Sequence, residues 1–176
     1  METIKINDKK HYILRLLGKG KGGYSYLVTD GAAEYVCKQI HHEPCDYYTF
    51  GDKLAAELGD YARLAALDLP LPRLLDVDRE HERLLKEYIP GPTAAELVAQ
   101  DALPRDCIAQ VENMCRTLYA AGLNIDYFPT NFILHDGRLW YIDYECNPYD
   151  PQWDFAGWGI KYWSKTPEFL AWLSQH

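Results

Sequence analysis

Gly18-Lys19-Gly20-Lys21-Gly22-Gly23 constrains the fold of this chain more than any other stretch. Glycine without a Cβ lets backbone come close to a ligand or turn sharply, but the flanking residues decide what the glycines serve. On one side runs HYILRLL and on the other YSYLV, both apolar, β-branched and aromatic, and both read as strands. In a dinucleotide-binding Rossmann unit such glycines open a helix that carries the pyrophosphate at its N-terminus, and a following strand excludes that arrangement. The pattern predicts a strand–turn–strand flap whose N–H groups can approach phosphates, with an ordinary turn as the alternative on spacing alone.

The rest of the chain divides by periodicity. YSYLVTDGAAEYVCKQI reads as two strands around a Thr29-Asp30-Gly31 turn, and HHEPCDYYTF interrupts that pattern with a proline. Leu54, Leu58, Tyr61, Leu64 and Ala65 recur at helical spacing, which predicts a helix from Asp52 to Leu67. LPLPRLLDVDREHERLLKEYIPGPT reads as an extended segment, a turn, a strand and a Pro/Gly stop. A short helix is expected from Thr93 and a longer one over Pro104 to Ala121. Short strands around Asp136-Gly137 follow, then an aromatic tail expected to be helical from Trp153 onward. The natural boundary is Ile89-Pro90-Gly91-Pro92, so the expectation is one domain of two small lobes, residues 1–88 and 93–176, joined over 87–92.

Composition narrows the classes. With 48% hydrophobic residues a packed core is easily built, which argues against disorder. A formal net charge of −8 argues against a nucleic-acid partner despite Lys19 and Lys21 in the glycine-rich stretch. Cys37, Cys45, Cys107, Cys115 and Cys146 are dispersed without a C-x-x-C pair and read as reduced thiols. METIKINDKKHY lacks the apolar core of a signal peptide, and no apolar run reaches transmembrane length. The expectation is a soluble, cytoplasmic protein with no membrane partner.

Five polar residues form a candidate constellation. Lys38 lies in YVCKQI, where a lysine is ordinarily a solvated edge residue, yet beneath a phosphate-covering flap it can put positive charge on phosphates. Glu57 on the following helix can hold it, against the plainer reading of a surface helix charge. Asp126 and Asn131, five apart on a loop after a helix, can supply a carboxylate for an acceptor hydroxyl and a carboxamide oxygen for magnesium. Asp143 leaves a strand end, where a carboxylate can bridge a metal to phosphates. Each alone is an ordinary turn or surface residue; their order is the signal.

In that order they resemble the protein-kinase-like superfamily: glycine-rich loop, lysine, helix glutamate, D-x-x-x-x-N loop and strand-end aspartate. The resemblance runs to about Trp158 and implies a two-lobed α+β fold, with a small antiparallel-sheet N-lobe and a reduced, mostly helical C-lobe. It implies that Gly18, Gly20 and Gly23 cover the phosphates of ATP, Lys38 contacts the α- and β-phosphates, and Glu57 orients Lys38. Leu85-Lys86-Glu87-Tyr88-Ile89 resembles the hinge, so backbone groups of Glu87 and Ile89 would meet adenine. Asp126 would position the acceptor hydroxyl and take its proton, and Asn131 and Asp143 would hold Mg2+.

The departures also inform. Asn124-Ile125 stands where His-Arg is usual, Phe128 where a lysine follows, and Asp143-Tyr144-Glu145 replaces Asp-Phe-Gly. Asp154 follows within eleven residues, leaving no room for an activation segment. Tyr141-Ile142-Asp143-Tyr144-Glu145 with Asp150-Pro151-Gln152-Trp153-Asp154-Phe155-Ala156 resembles the choline kinase and aminoglycoside phosphotransferase group, whereas compact RIO-type and bacterial-type serine/threonine kinases share the short chain. The implied acceptor is Ser/Thr of a protein; a small hydroxylated metabolite and an ATP-binding pseudokinase scaffold are the alternatives. Asp154 is expected to brace the catalytic loop.

Eleven aromatic residues between Trp140 and Trp172 read either as an acidic, aromatic amine pocket or, more plainly, as the core of a truncated lobe. His41, His42 and Cys45 lack a second ligand pair at metal spacing and are expected to form a solvated loop.

Overall fold

The computed structural model of the chain describes residues 1–43 and 52–176; Cys45 and the proline-broken stretch around it lie outside the described residues. Two compact units are resolved, Met1–Gly59 with Pro72–Tyr88, and Asp60–Leu71 with Ile89–His176.

The first unit is built on one antiparallel sheet. Its strands are β1 (Thr3–Ile6), β2 (Lys9–Lys19), β3 (Gly23–Thr29), β4 (Glu34–Ile40), β5 (Leu74–Asp78) and β6 (Arg83–Glu87), in spatial order β1-β2-β3-β4-β6-β5. Turn chemistry sets the register. Asn7 and Asp8 both take positive φ between Ile6 and Lys9, a two-residue turn whose twist matches the strands. Asp30 Oδ1 accepts the N–H groups of Ala32 and Ala33, closing the next-but-one hairpin. The extended segment and strand expected over 70–88 are both strands.

The sheet curls into a half-barrel. Ile4 and Ile6 of β1 pack with Val28, Cys37 and Leu85, although β1 and β6 are not neighbours in the order. At the rim Asn7 Nδ2 donates to Asp76 Oδ1 at 2.9 Å, its N–H donates to Asp78 Oδ2 at 2.9 Å, and Arg83 Nη1 donates to Lys5 O at 2.6 Å. The other face buries Leu84 and Ile40 against Leu54 and Leu58 of helix α1 (Lys53–Ala65). Asp52 caps that helix by accepting the Ala55 N–H at 2.9 Å, so it starts one residue later than the periodicity alone predicts.

The second unit contains α2 (Ala94–Ala99), α3 (Asp106–Ala120), β7 (Leu123–Ile125), β8 (Phe132–His135), β9 (Arg138–Tyr141), β10 (Cys146–Pro148) and α4 (Pro167–Leu173). Thr93 and Glu96 close a capping box on α2. Two small antiparallel pairs form, β8 with β9 around Asp136-Gly137 and β7 with β10. The core gathers Val111, Met114, Cys115 and Leu118 of α3 with Tyr127, Phe132, Tyr141, Phe155 and Trp163.

The tail corrects the expectation of a helix from Trp153 onward. Two short 3-10 turns, Pro151–Trp153 and Gly159–Tyr162, precede the seven-residue α4. Backbone packing is the reason: a Cβ on Gly159 would come within 2.6 Å of the Tyr127 Cβ, so the segment lies directly on the core. In all, the chain is mixed α+β, with a curled antiparallel sheet and four α-helices among the described residues.

Candidate active site

In the first unit the glycine-rich stretch is the β2–β3 hairpin, with Gly18 inside β2 and Gly23 opening β3. Its turn closes through Gly20 N–H donating to Gly23 O at 2.9 Å. The glycines differ in purpose. A Cβ on Gly23 would lie 2.5 Å from Gln39 O of β4, so that glycine is demanded by strand packing. At Gly18 and Gly22 a Cβ would meet nothing within 4 Å, and at Gly20 only Gly23 O at 4.0 Å.

Lys38 lies on β4 opposite Ser25 of β3 and Leu84 of β6, which makes it a residue of an interior strand and not of an edge. Its Nζ donates to Glu57 Oε1 of α1 at 2.8 Å, with the two side chains only 16% and 10% exposed. Sheltered from solvent in this way, the pair holds the ammonium at a defined place. Burial pushes the neighbouring Cys37 thiol up to about 12, so Cys37 is a neutral core residue with no nucleophilic role.

Glu87 ends β6. Its N–H donates to Arg73 O at 2.9 Å and its Oε1 accepts the Arg73 N–H at 3.2 Å, so of its two backbone polar groups the amide is already taken. Lys86 before it is buried at 5% exposure. Ile89, also buried, belongs to the second unit.

The second unit holds Asp126, Asn131 and Asp143. Asp126 Oδ1 accepts the Phe128 N–H at 3.1 Å, and Asn131 Nδ2 donates to Asp126 O at 3.3 Å, which ties the two ends of the loop. Ile142 N–H donates to Asn131 O at 2.9 Å, continuing the β8–β9 ladder by one residue. Asn131 and Asp143 therefore stand on adjacent backbone segments at the open end of one hairpin. Asp143 Oδ1 accepts the Tyr144 N–H at 2.8 Å. Among the described residues no group of three or more His, Cys, Asp or Glu is placed to hold a metal ion.

Three side chains that the sequence reading did not assign brace this loop. Tyr141, 1% exposed, accepts the Asp126 N–H at 3.3 Å and donates to Glu145 O at 2.8 Å. Burial, with Asp143, Glu145 and Asp126 nearby, drives the Tyr141 pKa well above the ordinary phenol value and keeps it neutral. Trp163 Nε1 donates to Tyr127 O at 2.8 Å. Asn124, at the position of the usual histidine, donates from Nδ2 to Asp150 O at 2.9 Å. Asp154, expected as the brace, serves its own turn instead: its carboxylate accepts the Gly157 N–H at 2.7 Å and the Tyr149 hydroxyl at 2.9 Å.

Phe128, two residues after Asp126, packs against Tyr162 and Trp172 with ring centroids 4.9 and 5.1 Å away. The His41–His42 stretch is a loop in which His42 is 55% exposed, as expected, while the His41 side chain is drawn in to 10%. His42 Nε2 meets Glu82 Oε1 at 2.7 Å, and His41 Nε2 meets Gly20 O at 2.9 Å. Lys19 Nζ is held by Glu43 Oε1 at 3.2 Å and lies over the Tyr24 ring.

The two units thus define a mixed α+β protein with a clamped lysine and glycine hairpin in one and a carboxylate–carboxamide loop in the other. No protein-family model matches the chain, and no curated protein matches it in sequence. No helix among the described residues is long and apolar enough to cross a membrane.

Proposed function

We propose that the chain is an ATP-dependent phosphotransferase of protein-kinase-like type, transferring the γ-phosphate to a hydroxyl. The observation that carries this reading is the sheltered Lys38–Glu57 pair. An interior-strand ammonium fixed by a helix carboxylate, on the strand paired with the glycine hairpin, is what phosphate recognition requires and what core packing alone does not.

In this reading the hairpin's N–H groups and Lys38 bind the triphosphate, and Glu57 keeps Lys38 extended. Asp126 takes the proton of the acceptor hydroxyl, its backbone held by the Tyr141 hydroxyl. The Asn131 carboxamide and the Asp143 carboxylate, on adjacent backbone segments, would be the protein oxygens that hold a magnesium ion, which needs only one or two of them. When bound, the ion neutralises charge on the β- and γ-phosphates. Asn131 already donates from Nδ2 to Asp126 O, which turns its Oδ1 away from that bond as the acceptor for a cation.

Ser/Thr of a protein is the leading acceptor. A small hydroxylated metabolite is the second reading, favoured by Phe128, Tyr162 and Trp172, which put an aromatic wall where a lysine would otherwise follow Asp126.

The test is label transfer from γ-labelled ATP with magnesium into a fractionated host-cell extract, counting protein and small-molecule pools separately. Label in either pool with the wild type, and not with Asp126→Asn, supports the enzyme and names its acceptor class. ATP binding by the folded wild type with no label in either pool overturns transfer and leaves a nucleotide-binding scaffold.

A further inference from the structure

The glycine hairpin is held from one side by two residues to which nothing so far assigns a role, Lys53 and His41. Its three turn carbonyls are all taken. Gly20 O accepts from His41 Nε2 at 2.9 Å, Gly22 O accepts from the His41 backbone N–H at 3.0 Å, and Lys21 O accepts from Lys53 Nζ at 3.3 Å. Lys53 Nζ also donates to His41 O, which joins the two holders into one clasp.

The hydrogen-bond roles of the two His41 ring nitrogens follow from their partners. Gly20 O can only accept, so Nε2 carries the hydrogen. Nδ1 accepts the Glu43 N–H at 3.2 Å and is therefore the bare nitrogen. The ring is packed edge-on against Tyr24, with centroids 5.3 Å apart, and stands as a positioned donor.

Lys53 sits where local preference opposes it. It is the first residue of α1, directly after the Asp52 cap, and a cation at a helix N-terminus runs against the backbone dipole. It is also 3% exposed, and lysines are rarely buried to that degree. Its contacts with Lys21 O and His41 O give that placement a purpose.

The consequence for the hairpin is directional. Across a trans peptide the C=O of one residue and the N–H of the next point in opposite directions, and no peptide in the described residues is cis. Drawing the carbonyls of Gly20, Lys21 and Gly22 toward His41 and Lys53 aims the N–H groups of Lys21, Gly22 and Gly23 the other way. Successive N–H groups presented like this make an anion-binding concavity. The carbonyl dipoles that would repel an anion are meanwhile turned aside and satisfied.

Glu57, the partner of Lys38, lies four residues after Lys53, on the same face of the same helix. One helix therefore grips the hairpin through Lys53 and orients the phosphate-binding lysine through Glu57.

We propose that Lys53 and His41 are positioning residues that preset the glycine hairpin of this chain as an anion-binding flap. The proposal rests on the phosphotransferase reading for the identity of the anion, but the clasp itself does not.

The test compares wild type with Lys53→Met, which keeps the apolar stem, and His41→Phe, which keeps the ring against Tyr24. Amide hydrogen exchange of Gly20, whose N–H closes the turn on Gly23 O, and of position 41, whose N–H holds Gly22 O, is read by NMR without ligand, and affinities for MgATP and for adenosine are read by titration. Faster exchange in both variants is expected, with MgATP affinity down about tenfold and adenosine affinity within about twofold of wild type. Unchanged exchange overturns the clasp, as does unchanged MgATP affinity. A parallel fall for ATP and adenosine overturns it too, because that is the signature of mere support of the fold. If the wild type binds neither ligand, the nucleotide reading fails, and the clasp is then decided by the exchange rates alone.

Discussion

The hydroxyl of Tyr141 lies 3.3 Å from the backbone N–H of Asp126 and donates in turn to Glu145 O at 2.8 Å. One buried phenol of β9 thereby links the loop that carries Asp126 to the segment just after Asp143. Tyr141→Phe keeps the ring and removes both bonds, leaving the Asp126 N–H without this acceptor. The expected loss is about 1–3 kcal/mol in unfolding free energy, read from urea midpoints at constant slope. Transfer should fall further than stability accounts for, because Asp126 loses its anchor.

Lys38→Met and Glu57→Gln separate charge from packing. Each leaves the remaining partner largely shielded from water, at 16% or 10% exposure, so both variants should be destabilised by about 1–3 kcal/mol. Phosphate transfer is expected to drop by about 10²-fold or more with Lys38→Met and by less with Glu57→Gln. Equal transfer by the Lys38→Met variant would remove the basis of the phosphotransferase reading.

The glycines of the hairpin should respond unequally. At Gly23 a Cβ would press on Gln39 O at 2.5 Å, so Gly23→Ala forces β3 and β4 apart and is expected to lower the thermal midpoint by several degrees. Gly22→Ala enters open space and should leave that midpoint nearly unchanged. Differential scanning calorimetry on the two variants checks the contrast.

Acid stability has an identifiable source at the rim of the sheet. Burial raises the Asp78 pKa, but the N–H groups of Asn7 and His81 and the His81 ring outweigh it and bring the carboxyl to about 2, from 3.8 in an open chain. A folded-state pKa below the unfolded one stabilises above the unfolded value, and that stabilisation is lost as pH falls from about 4 to about 2. Asp78→Asn should flatten this part of the stability profile by an amount on the order of 1 kcal/mol, seen in unfolding midpoints at pH 2, 4 and 6.

Much of the architecture was decided within short stretches of sequence. Asp136-Gly137 sets a two-residue turn, which fixes the β8–β9 register and brings Asn131 and Asp143 onto adjacent segments. The apolar spacing from Leu54 to Ala65 marks α1, and the strands on either side of the glycines make them a hairpin and not a helix start. These follow from turn geometry and side-chain periodicity, which act over a few residues. Even the Lys38–Glu57 pair was within reach, because one strand and the helix that follows it bound the search.

Other features needed the folded chain. That Lys38 is interior follows from β6 joining β4, a pairing of residues about fifty positions apart that no local pattern encodes. His41 read as solvent-facing until β3 and β4 brought it under Gly20, and nothing in the sequence singled out Lys53 before the hairpin carbonyls met it. Tyr141 and Trp163 became loop braces through bonds spanning 15 and 36 residues. The tail is α-helical only over α4, and Gly159 lies against Tyr127 before it. The sequence by itself determined turns, strands and helices from local sterics and periodicity. Tertiary structure alone decided which buried polar groups meet, because a donor taken out of water accepts whatever partner the packing brings within reach.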